Sequence, residues 1–128
     1  MLVLLPADHP LSSQSVLTLS QIEKEPFIMP SKGSDDDVNR VLEKASIKPD
    51  IKYAAGDDYA IMAMVEKGLG ISILPELVLR GQQRNIRMIP LVEPSYRSLG
   101  IAVSSLRHVS PAAKRFLNYV QSYPNLKE

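Results

Sequence analysis

Apolar positions along this chain fall into two rhythms. Leu2-Val3-Leu4-Leu5, Phe27-Ile28-Met29, Ile71-Ser72-Ile73-Leu74 and Leu99-Gly100-Ile101-Ala102-Val103 are short, nearly continuous apolar runs. Runs of that length, edged by proline or glycine, predict strands covered on both faces. Ile51-Lys52-Tyr53-Ala54 and Ile86-Arg87-Met88-Ile89 alternate, as strands also do. Between the runs the period lengthens. Val38, Val41, Leu42 and Ala45 share one helical face and predict a helix over about 35–45. Ile61, Met64 and Val65 predict a helix ending near Lys67, and Ala113, Phe116, Leu117 and Val120 a closing helix reaching about Tyr123.

The punctuation agrees with these elements. Thr18-Leu19-Ser20-Gln21 has the spacing of a capping box and predicts a short helix over about 19–24. Ser34 with Asp37 is a second box, and Asp35, Asp36 and Asp37 suit the positive end of the helix they open. Asp57 or Asp58 can cap the helix that follows Gly56. Gly68 suits the left-handed residue that closes that helix, and Gly70 lets the chain turn again. Pro75 ends the strand or opens the next helix at its first position, giving a turn or two of helix closed near Gly81. Ser110-Pro111 pairs a capping residue with a proline at the first helical position. Strands alternate with helices, so the expected fold class is α/β, a mostly parallel sheet with helices on both faces. The runs near the two ends, 2–5 and 99–103, stand outside the alternation.

Composition narrows the classes. At 128 residues and 45% apolar content the chain has one domain's worth of core. There is no cysteine, hence no disulfide framework and no thiolate chemistry, which fits a reduced, cytoplasmic compartment. No apolar run approaches the roughly 20 residues needed to span a bilayer. A formal net charge of +1 does not give the basic field of a nucleic-acid binder. Two isolated histidines and no cysteine supply neither a nucleophile–base pair nor a metal cluster, so no enzyme, no cofactor and no metal is expected. His9, between Asp8 and Pro10, reads as a turn residue rather than a catalytic base.

The most specific stretch is Gly68-Leu69-Gly70-Ile71-Ser72-Ile73-Leu74-Pro75, after a helix. It resembles a joint in the effector-binding domain of LysR-type transcriptional regulators. Four other stretches resemble that domain in the same order. Leu4-Leu5-Pro6-Ala7-Asp8-His9-Pro10-Leu11 looks like a strand crossing between its subdomains, and Leu17-Thr18-Leu19-Ser20-Gln21-Ile22 with Glu25-Pro26-Phe27-Ile28 like the next helix and strand. Tyr96-Arg97-Ser98-Leu99-Gly100-Ile101-Ala102-Val103 is similar to the returning strand, and Ser110-Pro111-Ala112-Ala113-Lys114-Arg115-Phe116-Leu117 to the last helix.

The resemblance implies a type 2 periplasmic-binding-protein-like fold, here one complete subdomain plus part of the second. It divides the chain into a crossover strand (1–5), the second effector-binding subdomain (6–97), and the return strand with the closing helix of the first subdomain (98–128). It implies that an amino-terminal winged helix-turn-helix, outside these residues, carries DNA binding. It also implies a small-molecule effector, an organic anion above all, and self-association into a dimer or higher, with a tetramer for the full-length protein. The helix over 35–45 and the strand after it would meet a partner, and Phe116, Leu117 and Val120 would form a second adhesive stripe. Two rivals remain on the same fold, a lobe of a periplasmic solute-binding protein and a dehydratase-type enzyme.

Ligands on open parallel sheets sit where strands end and helices begin. That rule selects Met29, Pro30, Ser31, Lys32, Gly33 and Ser34, a loop with hydroxyls, a cation and a helix start, able to receive a carboxylate or phosphate. The competing reading is helix capping by Ser34. A second loop offers Gly56, Asp57 and Tyr59, whose ring either faces the cleft or covers the helix. Gly70 and Ile71 come third, as backbone and apolar wall.

Overall fold

The computed structural model describes residues 1–31, 36–93, 95–96 and 100–123. It divides into two compact units, Met1–Arg97 and Ser98–Glu128. The first holds strands β1 (Leu2–Pro6), β2 (Pro26–Pro30), β3 (Asp50–Ala55), β4 (Ser72–Leu74) and β5 (Ile86–Pro90). Its helices are α1 (Leu19–Ile22), α2 (Asp37–Lys44), α3 (Asp58–Glu66) and α4 (Glu76–Leu79).

The pairing corrects one expectation. β2 and β3 pair in parallel across α2, as a strand–helix–strand unit should. Parallel contact continues where Phe27 meets Ile71, with the Ile71 N–H donating to the Pro26 carbonyl and the Ile28 N–H to that of Ile71, both at 2.8 Å. β1, however, lies antiparallel between β4 and β5, so two of the three ladders among the described residues are antiparallel. Val3 stands opposite Ile73 on one side and Ile89 on the other.

The continuous apolar runs are explained by a core on each side of the sheet. Val3, Leu5, Phe27, Ile73 and Ile89 point to the face covered by α1 and α2, packing with Ile22, Val38 and Leu42. Leu4, Ile28, Leu74 and Ile86 point the other way, onto Ile61, Met62 and Val65 of α3. Successive strand residues alternate faces, so only apolar residues at both parities satisfy both layers. Met62 therefore takes the fully buried place expected for Met64, which is half-buried.

The end of α3 is built as its glycines require. The Leu69 N–H donates to the Met64 carbonyl (3.1 Å) and the Gly68 N–H to that of Val65 (2.9 Å), with Gly68 at φ +73°. These two bonds and the left-handed residue make a Schellman close. At Gly70 the constraint is space, since a Cβ would stand 2.5 Å from the Pro26 carbonyl oxygen.

Three further differences concern element ends. α2 begins at Asp37 with Asp36 before it, and the proposed Ser34 cap lies outside the described residues. Pro75 is the residue that precedes α4, not its first helical residue. Residues 100–103 form no strand, and Ile101 is 48% exposed rather than buried. A strand needs a neighbour to share its backbone bonds. The second unit offers only a 3-10 turn (Leu106–His108) and α5 (Pro111–Ser122) among its described residues. α5 is capped by Ser110, whose Oγ accepts from the Ala113 N–H at 3.2 Å, and none of its side chains is buried.

Candidate functional site

The carboxyl ends of β2 and β3 bring two of the selected loops together. The Ser31 N–H donates to the Ala55 carbonyl at 2.8 Å, extending the parallel ladder one step past Pro30. A Cβ placed on Gly56 would be 4.0 Å from the Ser31 Cβ, so the two loops lie side by side. Met29 is half-buried against the core and Pro30 is buried, so both support the loop. Lys32, Gly33 and Ser34 lie outside the described residues.

The second loop runs into α3. Asp57 caps it, its Oδ1 accepting from the Ala60 N–H at 2.9 Å. Asp58 is half-buried, and burial, then the neighbouring Asp57 charge, raises its pKa above the usual carboxylate value. Tyr59 is 58% exposed, with its ring largely in water. This corner thus combines a hydroxyl, an open backbone, two carboxylates and a helix start.

Gly70 and Ile71 do not join it. They sit against Pro26 and Phe27, at the amino end of β2, with Ile71 itself 1% exposed. Four residues of strand, about 13 Å, separate that end from Pro30. Their role here is in the joint: backbone bonds to β2, and a Ser72 hydroxyl donating to the Ile28 carbonyl at 2.8 Å.

His9 also lies outside these loops. His9 Nδ1 accepts from the Leu11 N–H at 3.2 Å, and its Nε2 lies 3.4 Å from Glu25 Oε2, which makes it a turn-holding residue. Among the described residues, no group of three His, Asp or Glu could hold a metal ion. No helix among them is long and apolar enough to cross a membrane.

One feature escaped the sequence reading. A pocket of about 360 Å3 opens beside α2, lined among others by Leu19, Arg40, Val41, Lys44, Glu93 and Tyr96. The only sequence signal was that Glu93 is the single acidic residue between Glu76 and Glu128.

Comparison with known proteins decides the lineage. The sequence model of the LysR substrate binding domain matches residues 1–124. The chain belongs to the LysR substrate-binding-domain family. Its relatives are transcriptional regulators, not enzymes. The HTH-type transcriptional regulator YybE of Bacillus subtilis (strain 168) is 37% identical over 123 residues, covering 94% of this chain and 42% of that regulator. YnfL of Escherichia coli (strain K12), another HTH-type regulator, is 33% identical, covering 91% of this chain and 41% of its own length. The chain thus spans about two-fifths of these relatives.

Solved LysR structures share the α/β, type 2 periplasmic-binding-protein-like fold. The Synechocystis CcmR regulatory domain, a complex with 2-PG, superposes with a TM-score of 0.74 at 21% identity, covering 93% of this chain and 60% of that one. The effector-binding domain of QuiR, a complex with shikimate, gives 0.68 at 24% identity, covering 92% and 57%.

Proposed function

We propose that this chain is the effector-binding part of a LysR-type transcriptional regulator, and that Ser31 and Gly56 form one wall of its effector cleft. The observation that carries the reading is their juxtaposition at the carboxyl ends of two parallel strands, beside the start of α3. Residues 6–97 are the second effector-binding subdomain, residues 1–5 a strand crossing into it, and residues 98–128 the return to the first subdomain. DNA is bound by a winged helix-turn-helix outside these residues. The protein works in the cytoplasm, where its DNA is.

The effector is a small metabolite, and the hydroxyls and cation of Ser31, Lys32 and Ser34 favour an organic anion. Asp57 and Asp58 limit how much negative charge the site accepts, since like charges at close range repel. CcmR with 2-PG and QuiR with shikimate are family examples of domains that take such small molecules. Binding acts on DNA by favouring one arrangement of lobes over another, which requires unequal affinity for the two. The full protein self-associates, a tetramer, through the α2–β3 surface and the exposed stripe of α5.

Titration calorimetry on the full-length regulator, with the effector found by metabolite screening, tests the cleft wall. Ser31→Ala removes one hydrogen bond to the ligand and is expected to weaken binding about tenfold, near 1.4 kcal/mol. Gly56→Val fills the space beside Ser31 and is expected to do more. Wild-type affinity in both variants would remove this corner from the site.

A further inference from the structure

The pocket beside α2 shares no residue with the Ser31–Gly56 corner, and its chemistry is different. Leu19 and Val41 give it an apolar wall, and Tyr96, 81% exposed, stands at its edge. Arg40 and Lys44, one helical turn apart on α2, put two cations on one side. Lys44 has no ion pair among the described residues, and Arg40, its side chain 69% exposed, reaches the largely buried Asp37 carboxylate at 3.0 Å. Glu93 supplies the opposite charge.

Glu93 is held in a definite pose. Its Oε1 accepts from the Leu19 N–H at 3.0 Å. Its Oε2 is buried and has no hydrogen-bond partner among the described residues. Buried polar atoms are almost always satisfied, so this oxygen marks a missing donor. Because it belongs to a carboxylate, the donor that completes it best is a cationic one. A plain anion would satisfy Arg40 and Lys44 but be repelled by Glu93. A plain cation would meet Glu93 but face two like charges.

We propose that this pocket is a second small-molecule site, built for a zwitterion. Its ligand is an amino-carboxylic acid with an apolar body, the ammonium on Glu93, the carboxylate on Arg40 and Lys44, and the body against Leu19 and Val41.

The test is a titration of the full chain followed by backbone amide NMR shifts. The probe is para-(aminomethyl)benzoate, compared with para-toluate, which lacks the ammonium, and benzylamine, which lacks the carboxylate. The zwitterion is expected to shift the Leu19, Val41 and Tyr96 amides with an affinity about tenfold or more above either comparator. Glu93→Gln keeps an acceptor for Leu19 and should erase the advantage over para-toluate. Should that variant not fold, Lys44→Met, at an exposed position, must bring the zwitterion down toward benzylamine. Ser31→Ala should change neither result, which separates this site from the effector cleft. Equal binding of all three probes, no shifts at millimolar concentration, or shifts confined to Ser31 and Gly56 would each overturn the proposal.

Discussion

The two units carry the same kind of apolar patterning and use it in opposite ways. In Met1–Arg97 residues 3–5, 27–28 and 71–74 of the strand runs are all buried. In Ser98–Glu128 the run at 100–103 is exposed, and Phe116 on α5 is 58% exposed. Side chains do not explain the difference, since Ile101 and Ile73 are the same residue. What differs is the neighbour: Ile73 lies opposite Val3 in a ladder, and Ile101 pairs with no strand among the described residues. An apolar pattern states what a segment can bury, and burial itself depends on a partner surface.

Equivalent substitutions in the two units should therefore separate widely in urea unfolding. Phe27→Ala, at 0% exposure, is expected to cost about 3–5 kcal/mol, while Phe116→Ala should stay within about 0.5 kcal/mol. Comparable losses would mean that the second unit has a core of its own. Next come the glycines. Gly70→Ala drives a methyl into the Pro26 carbonyl and should cost on the order of 3 kcal/mol, whereas Gly100→Ala meets nothing within 4 Å and should be nearly neutral. A smaller effect is expected at Gly68, where alanine has room but must adopt φ +73°, a cost of about 1 kcal/mol.

How much of this was legible follows the same division. The joint from α3 to β4 was readable because each residue carries a local reason: Gly68 for a left-handed close, Gly70 for a tight approach, Ile71 and Ile73 for a covered strand. The Asp57 and Ser110 caps were readable for the same cause. Strand sense was not, because it depends on which distant strands flank β1, and nothing local to Leu2 or Leu5 states that. The strand expected over 99–103 has a sound pattern, but residues 100–103 pair with no strand among the described residues.

At the site, the corner of Ser31 and Gly56 follows from the rule about strand ends. The same rule does not select Gly70 and Ile71, since the turn before a strand lies at its amino end. The Glu93 pocket was invisible because it gathers residues from positions 19, 40–44 and 93–96, and no spacing joins them.

Acid should expose the smallest contrast, within the first unit alone. The Asn85 N–H, and then Arg84, hold the Glu66 carboxyl below its usual range. A depressed carboxylate contributes stability that is present above the unfolded-state pKa and lost as pH falls through the folded one. Asp58, raised mainly by burial, works in the opposite sense. Its ionised form is disfavoured in the fold, so its unfavourable contribution shrinks as pH drops through its elevated pKa. Glu66→Gln should flatten the acid-side loss of stability in a pH series, and Asp58→Asn should steepen it. If neither slope changes, the folded and unfolded states hold these protons equally.

The most direct test of the central claim is hydrogen–deuterium exchange on the full-length regulator with and without its effector. The account predicts slowed exchange at the Ser31 amide and at the start of α3, residues 56–60, with the Gly70 joint unchanged. Effector-dependent protection at other segments, with residues 31 and 56–60 unaffected, would contradict it.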